Sequence, residues 1–124
     1  MAVSQRRSIK KETGCSYKRD RKKRKNELGR PASLTKIGEK KVRQVRTIGG
    51  NIKLRTLQYP ELTVMDGKKK IKAKIVRVVE NKSNRHYVRM NVMTKGAIVE
   101  TDKGKVMITN RPGQSGQVQG ILVK

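Results

Sequence analysis

The sequence predicts a mainly β chain: a small β-barrel-like body of about six short strands over residues 42–124, preceded by a basic, mostly extended N-terminal arm over residues 1–41. Three observations predict it. From Val42 onward apolar and polar residues alternate with a period of two, and turn dipeptides recur at short intervals. Before Val42 the larger aliphatics after Met1 are only Val3, Ile9, Leu28, Leu34 and Ile37, too scattered to form a stripe of either period. Over the whole chain, 33 Lys and Arg face 9 Asp and Glu, a formal charge of +24.

The arm comes first in the chain and carries the densest charge. Arg6, Arg7, Lys10, Lys11, Lys18, Arg19, Arg21, Lys22, Lys23, Arg24, Lys25, Arg30, Lys36, Lys40 and Lys41 are basic, against Glu12, Asp20, Glu27 and Glu39. A segment with so little apolar surface does not recover the entropy of ordering by itself, so it is expected to fold on a partner. Asp20 is placed to cap a short helix ended by Gly29 and Pro31. The unbroken run Arg21 to Lys25 repels itself, and an anionic surface relieves that repulsion; a solvated tail or a nuclear-import patch is the bland alternative.

In the body, VRQVRTI (42–48) reaches Gly49-Gly50-Asn51, after which Ile52, Leu54 and Thr56 take one strand face and Lys53 and Arg55 the other. The two glycines and Asn51 let backbone N–H groups approach a phosphate without a Cβ in the way, or else form an ordinary turn. Arg43, Arg46, Lys53 and Arg55 around them favour a polyanion. LTVM (62–65) meets Asp66-Gly67, a hairpin signal, and Ile71, Ala73 and Ile75 then alternate with Lys72 and Lys74. After a turn at Asn81 to Asn84, HYVRMNVM reads as a strand with His86, Val88, Met90 and Val92 on one face. AIVE pairs across Thr101 to Gly104 with KVMIT, and Arg111-Pro112-Gly113 turns toward a closing strand in QVQGILV.

Several functions find no residues to carry them. His86 is the only histidine and Cys15 the only cysteine, so neither an internal disulfide nor a Cys/His zinc site can be assembled. No nucleophile and base stand at catalytic spacing, and Glu61, Asp66, Glu80, Glu100 and Asp102 fall at strand ends and turns, where they serve turn chemistry or balance nearby lysines. No catalytic residue, metal, cofactor or small-molecule substrate is expected. GQSGQVQG has glycines but not the spacing or the Lys of a phosphate-binding loop. No apolar run is long enough for a signal peptide or a membrane span, and a membrane partner is not expected. With no Trp, no Phe and three Tyr, stacking of successive bases is an unsuitable mode, which leaves recognition of a nucleic-acid backbone and its shape.

Four blocks carry a family resemblance. KKETGCSYKRDRKKRKNELGRPASLTKIG resembles the N-terminal signature of small-ribosomal-subunit protein eight of the archaeal and eukaryotic "e" class, and VRTIGGNIKLRTL, VVENKSNRHYVRMNVMTKGAIVET and ITNRPGQSGQVQGILV resemble its next three shared blocks. The long insertion of eukaryotic members is absent. Cys15 stands where the family usually has a second glycine, and the usual N-terminal Trp is missing. The resemblance implies a structural, non-enzymatic protein of the cytoplasmic ribosome. Its implied partners are small-subunit ribosomal RNA, reached by the arm and by the block around Gly49, Gly50 and Asn51, and neighbouring small-subunit proteins. Two rivals share the charge: a DNA-compacting architectural protein, and an RNA-modifying or RNA-cleaving enzyme with an unrecognised site.

Overall fold

The structure, a computed structural model, describes residues 4–18, 20–67 and 69–123. The chain divides into two compact units, Met1–Ala32 and Ser33–Lys124.

In the first unit the described backbone is largely irregular. It is joined by two isolated bridges, Ser4 to Leu28 and Lys10 to Ser16, and contains one 3-10 turn at Lys25–Glu27. None of its described residues is buried. The expected helix capped by Asp20 is replaced by that single turn, whose N-cap is Arg24 without a side-chain cap bond. A helix through Arg21 to Lys25 would stack like charges at neighbouring positions of one face, which is destabilising. The Asp20 carboxylate instead accepts a hydrogen bond from Arg6 at 3.0 Å.

Among the described residues the second unit holds eight strands in two sheets. Strands β1 (Lys36–Ile37), β2 (Lys41–Arg46) and β3 (Ile52–Tyr59) form a small sheet in the order β1-β3-β2. Strands β4 (Glu61–Asp66), β5 (Lys69–Glu80), β6 (Ile98–Thr101), β7 (Gly104–Ile108) and β8 (Gln119–Leu122) close into a barrel in sequence order. Neighbours in the barrel are antiparallel except the closing pair, β4 with β8, which is parallel. The barrel-like body is thus present, but the alternating segments divide between two sheets. The division falls at Pro60, which has no N–H to continue a ladder. Its carbonyl accepts the Ile75 N–H at 3.0 Å, and the chain passes from β3 to β4.

The barrel core consists of Leu62, Val64, Ala73, Ile75, Val78, Met93, Ala97, Val99, Val106, Ile108 and Val118. Each larger aliphatic of this kind contributes about 1.5–3 kcal/mol by leaving water. Along β5 the expected inward residues Ile71, Ala73 and Ile75 do face the core side. A bulge then shifts the ladder between Ile75 and Arg77, so Val76 and Arg77 are both exposed and Val78 returns inward. Gly120 of β8 is buried because nothing larger fits. A Cβ there would lie 2.5 Å from Val106 Cγ1 and 2.6 Å from the Met107 carbonyl oxygen.

HYVRMNVM does not form the expected strand. His86–Arg89 is a short helix, α1, and His86 is exposed. The Asn84 side chain accepts the His86 N–H at 2.9 Å, the Asn84 carbonyl accepts the Tyr87 N–H at 3.1 Å, and Asn91 ends the turn at φ 49. Local side-chain bonding of this type competes with strand pairing, and here it prevails. Buried Asn81 fastens the loop: its Nδ2 donates to the Val92 carbonyl at 3.1 Å, while its Oδ1 accepts from the Ser83 N–H and the Thr94 hydroxyl, each at 3.0 Å.

Hydrogen bonds at Thr35 help to position the small sheet. The Thr35 hydroxyl donates to the Thr56 carbonyl at 2.7 Å, and the Thr35 carbonyl accepts the Met93 N–H at 2.8 Å. The turn at Arg111-Pro112-Gly113 is a second short helix, α2 (Pro112–Ser115), which packs on β3. Gly116, at φ 75, ends α2 so close to β3 that a Cβ would lie 3.2 Å from Leu54 Cβ.

Candidate nucleic-acid interface

Strands β2 and β3 form a two-stranded ribbon whose exposure rises toward its tip. Thr56 is fully buried and Arg55 half-buried, whereas Ile52, Lys53 and Leu54 are exposed. The antiparallel register sets Arg43 opposite Arg55, Gln44 opposite Leu54, Val45 opposite Lys53 and Arg46 opposite Ile52. Opposed residues share a face, and successive residues alternate faces. One face therefore carries Arg43, Arg55 and Lys53 together with Val45. The other carries Ile52 and Leu54, with Arg46 and Gln44 across from them. Between Lys40 and Pro60 there is no acidic residue. Directly opposed like charges destabilise a sheet by a few tenths of a kcal/mol to about 1 kcal/mol. The register thus sets Arg43 and Arg55 side by side on one face of the ribbon.

The tip is a closed turn. The Thr47 N–H and hydroxyl both donate to the Asn51 carbonyl, at 2.7 and 3.0 Å, and Asn51 Nδ2 donates to the Ile48 carbonyl at 3.2 Å. Gly49 and Gly50 have φ of 74 and 77, the left-handed region in which a Cβ is strained. The turn and the phosphate-approach readings of Gly49, Gly50 and Asn51 thus concern the same exposed residues. Nearer the body, Lys36 and Lys41 are exposed, and Lys40 Nζ lies 5.9 Å from the Tyr59 ring centroid.

In the first unit several cations have contacts within the unit. Arg6 pairs with Asp20, and that hydrogen bond holds the Asp20 carboxyl below its ordinary pKa. Arg21 pairs with Glu27, which lowers the Glu27 pKa and raises that of Arg21. Arg7 lies 4.2 Å and Lys11 5.5 Å from the Tyr17 ring centroid, so the one aromatic of this unit is covered by cations. Lys10, Lys18, Lys22, Lys23, Arg24, Lys25 and Arg30 are exposed. Arg19 lies outside the described residues. The basic run is thus not uniform in burial: Arg21, which pairs with Glu27, is half-buried, while the four that follow it are exposed.

A further basic row lies outside the arm and the ribbon. Lys70, Lys72 and Lys74 are exposed on the outer side of β5, where the register sets them opposite Met65, Thr63 and Glu61. Their alternation with Ile71, Ala73 and Ile75 is the signal that marks them as an outward cationic stripe. The carboxylates near them do structural work: the Asp102 carboxylate accepts the Lys74 N–H at 3.1 Å, and Glu100 accepts from Arg77 at 2.6 Å. Among the described residues no three His, Cys, Asp or Glu side chains form a metal-binding group, and no helix is long and apolar enough to cross a membrane. Cys15 is exposed.

A family model described as Ribosomal protein S8e matches residues 4–123. The chain is similar to small ribosomal subunit protein eS8 of Nanoarchaeum equitans, 51% identical over 114 residues that cover 90% of each chain. It is also similar to the protein of that name from Methanobrevibacter smithii, 43% identical over 126 residues covering 99% of this chain and 100% of the relative. With that of Haloarcula marismortui it shares 42% identity over 118 residues, 95% of this chain and 96% of the relative.

Proposed function

The chain belongs to the ribosomal protein S8e family, a structural and non-enzymatic one, and from that membership we propose that it binds and stiffens small-subunit ribosomal RNA in the cytoplasmic ribosome. Two groups of cations do so in this reading: those of the N-terminal arm, and those of the β2–β3 ribbon around Gly49, Gly50 and Asn51. Neighbouring small-subunit proteins complete the setting.

The observation that carries the reading is the ribbon's basic face. Arg43 stands directly opposite Arg55 with Lys53 beside them, on a hairpin without a single acid. Arginine side chains set side by side in this way can each hold a phosphate oxygen through charge-assisted hydrogen bonds. The first unit adds further exposed cations, and neutralising phosphates releases their condensed counterions. Recognition then depends on RNA shape and on the spacing of several helices, because the chain has too few aromatics to read bases in series.

The test is filter binding of the whole protein to small-subunit ribosomal RNA fragments and to duplex DNA of equal length, across a salt series. If about ten phosphates are neutralised, log affinity for RNA falls against log salt with a slope of about −7 to −9. A preference for the DNA would overturn the reading in favour of an architectural DNA-binding protein.

A further inference from the structure

Ile48 is 96% exposed, ahead of every other large hydrophobic side chain among the described residues; Ile9 follows at 72% and Ile52 at 64%. A single exposed aliphatic is ordinary on a protein surface. Three features set this one apart.

It sits at the apex of the ribbon, where the turn does not need it. Thr47 and Asn51 supply the closing hydrogen bonds, and Gly49 and Gly50 supply the positive φ. The apex is also held in place, since Asn51 Nδ2 bonds the carbonyl of Ile48 itself at 3.2 Å. The side chain is thus presented on a closed turn. Finally, its surroundings select the occupant. Arg46 precedes it, Lys53 and Arg55 follow it, and no acid lies within the ribbon. A protein groove taking up Ile48 would have to be apolar and bear several acids around its rim. Nucleic acid has that arrangement throughout: flat apolar base faces between two rows of phosphates. Apolar wedges flanked by cations enter nucleic acid between base steps. In RNA the accessible base faces are those unstacked at bulges and internal loops.

We propose that Ile48 is a wedge that packs against an unstacked base of small-subunit ribosomal RNA while the cations of the ribbon hold the flanking phosphates. This deepens the RNA-binding reading above and rests on it. The ribbon then distinguishes a bulged helix from a continuous one, a discrimination that charge alone does not supply.

The chain contains no Trp, so Ile48→Trp places a single reporter at the apex. The whole protein is titrated with two RNA hairpins, one bulged and carrying 2-aminopurine at the bulge, the other fully paired. Circular dichroism and melting curves matching the parent protein establish that each variant is folded. The wild type is expected to bind the bulged hairpin about tenfold more tightly and to change the 2-aminopurine emission. The Trp emission of Ile48→Trp is quenched by the bulged RNA alone. Ile48→Ser loses the preference and the 2-aminopurine response while its affinity for the paired hairpin stays the same. If wild type and Ile48→Ser bind the two hairpins alike and the reporter is not quenched, the wedge is refuted while RNA binding stands. If the wild type binds neither hairpin at low salt, the RNA-binding reading itself fails and the wedge with it.

Discussion

The unit Met1–Ala32 and the barrel are built on opposite principles. The first has twelve Lys and Arg against three acids, and among its described residues none is buried. The barrel encloses a dense aliphatic core in which Val99, Val106 and Ala97 are wholly shielded from water. Its order comes from packing, which needs no partner. Among the described residues, that of the first unit draws on the ion pairs Arg6–Asp20 and Arg21–Glu27, on the bridges Ser4 to Leu28 and Lys10 to Ser16, and on cations over Tyr17. Such exposed pairs contribute little and are screened by salt. Stability and RNA affinity should therefore be separable along the chain, and four experiments test how cleanly.

The largest effect is expected from Gly120→Val. Its added carbons collide with the Met107 carbonyl and the Val106 side chain, neither of which can retreat in a closed barrel. A loss of more than about 3 kcal/mol in chemical denaturation is expected. A near-native midpoint would mean that the barrel is looser than its packing indicates.

Next comes removal of residues 1–32. RNA affinity is expected to fall at least about 100-fold at moderate salt, while the melting temperature stays within a degree or two of the parent. The cut should stop at Ala32, since Thr35 and Lys36–Ile37 make bonds within the second unit. An unchanged affinity would remove the arm from the interface. A large drop in melting temperature would contradict the contrast between the two regions.

Acid should act on one region before the other. Asp20 and Glu27 have folded-state pKa values lowered by Arg6 and Arg21 respectively. Their contribution is fully present above the ordinary carboxylate range and disappears as pH falls through the depressed folded values. Amide resonances of Gln5, whose N–H bonds the Glu27 carbonyl at 2.8 Å, and of Leu28 should shift in that window while those of Val99 and Val106 hold. Simultaneous loss of both sets would tie the two regions together.

The smallest effect is a gain. Arg43→Gln removes the opposed like charges on the ribbon, so stability should rise by a few tenths of a kcal/mol while RNA affinity falls. Denaturation and binding measured on the same preparation check the two signs. A variant that loses stability would show that Arg43 is held by something other than phosphate.

Much of this was legible from sequence, for identifiable reasons. Asp66-Gly67 and Thr101 to Gly104 are local turn signals, and the strands they join pair directly. The alternation Ile71, Ala73, Ile75 likewise states its own inward face. What was hidden depends on long-range partners or on side-chain hydrogen bonds. The pattern of HYVRMNVM is compatible with a strand until the Asn84 side chain captures the His86 N–H. Likewise, the bulge after Ile75 is set by register with β6 and leaves no trace in composition. Among the basic residues, charge alone named Arg43 and Arg55, yet their direct opposition required the register of β2 on β3. The exposure of Ile48 was similarly invisible, because an isoleucine at the end of an alternating segment reads as one more inward residue.

The parallel pairing of β4 with β8 has a consequence for how the chain comes into being. β4 ends at Asp66 and its partner begins at Gln119, so the ring has a high contact order at its seam. Closing so long a loop is entropically slow, and no early hairpin can substitute for it. During synthesis the cationic head and the ribbon are therefore complete while the barrel still lacks a stave. On the RNA-binding reading proposed above, those segments are available to RNA before the seam is zipped.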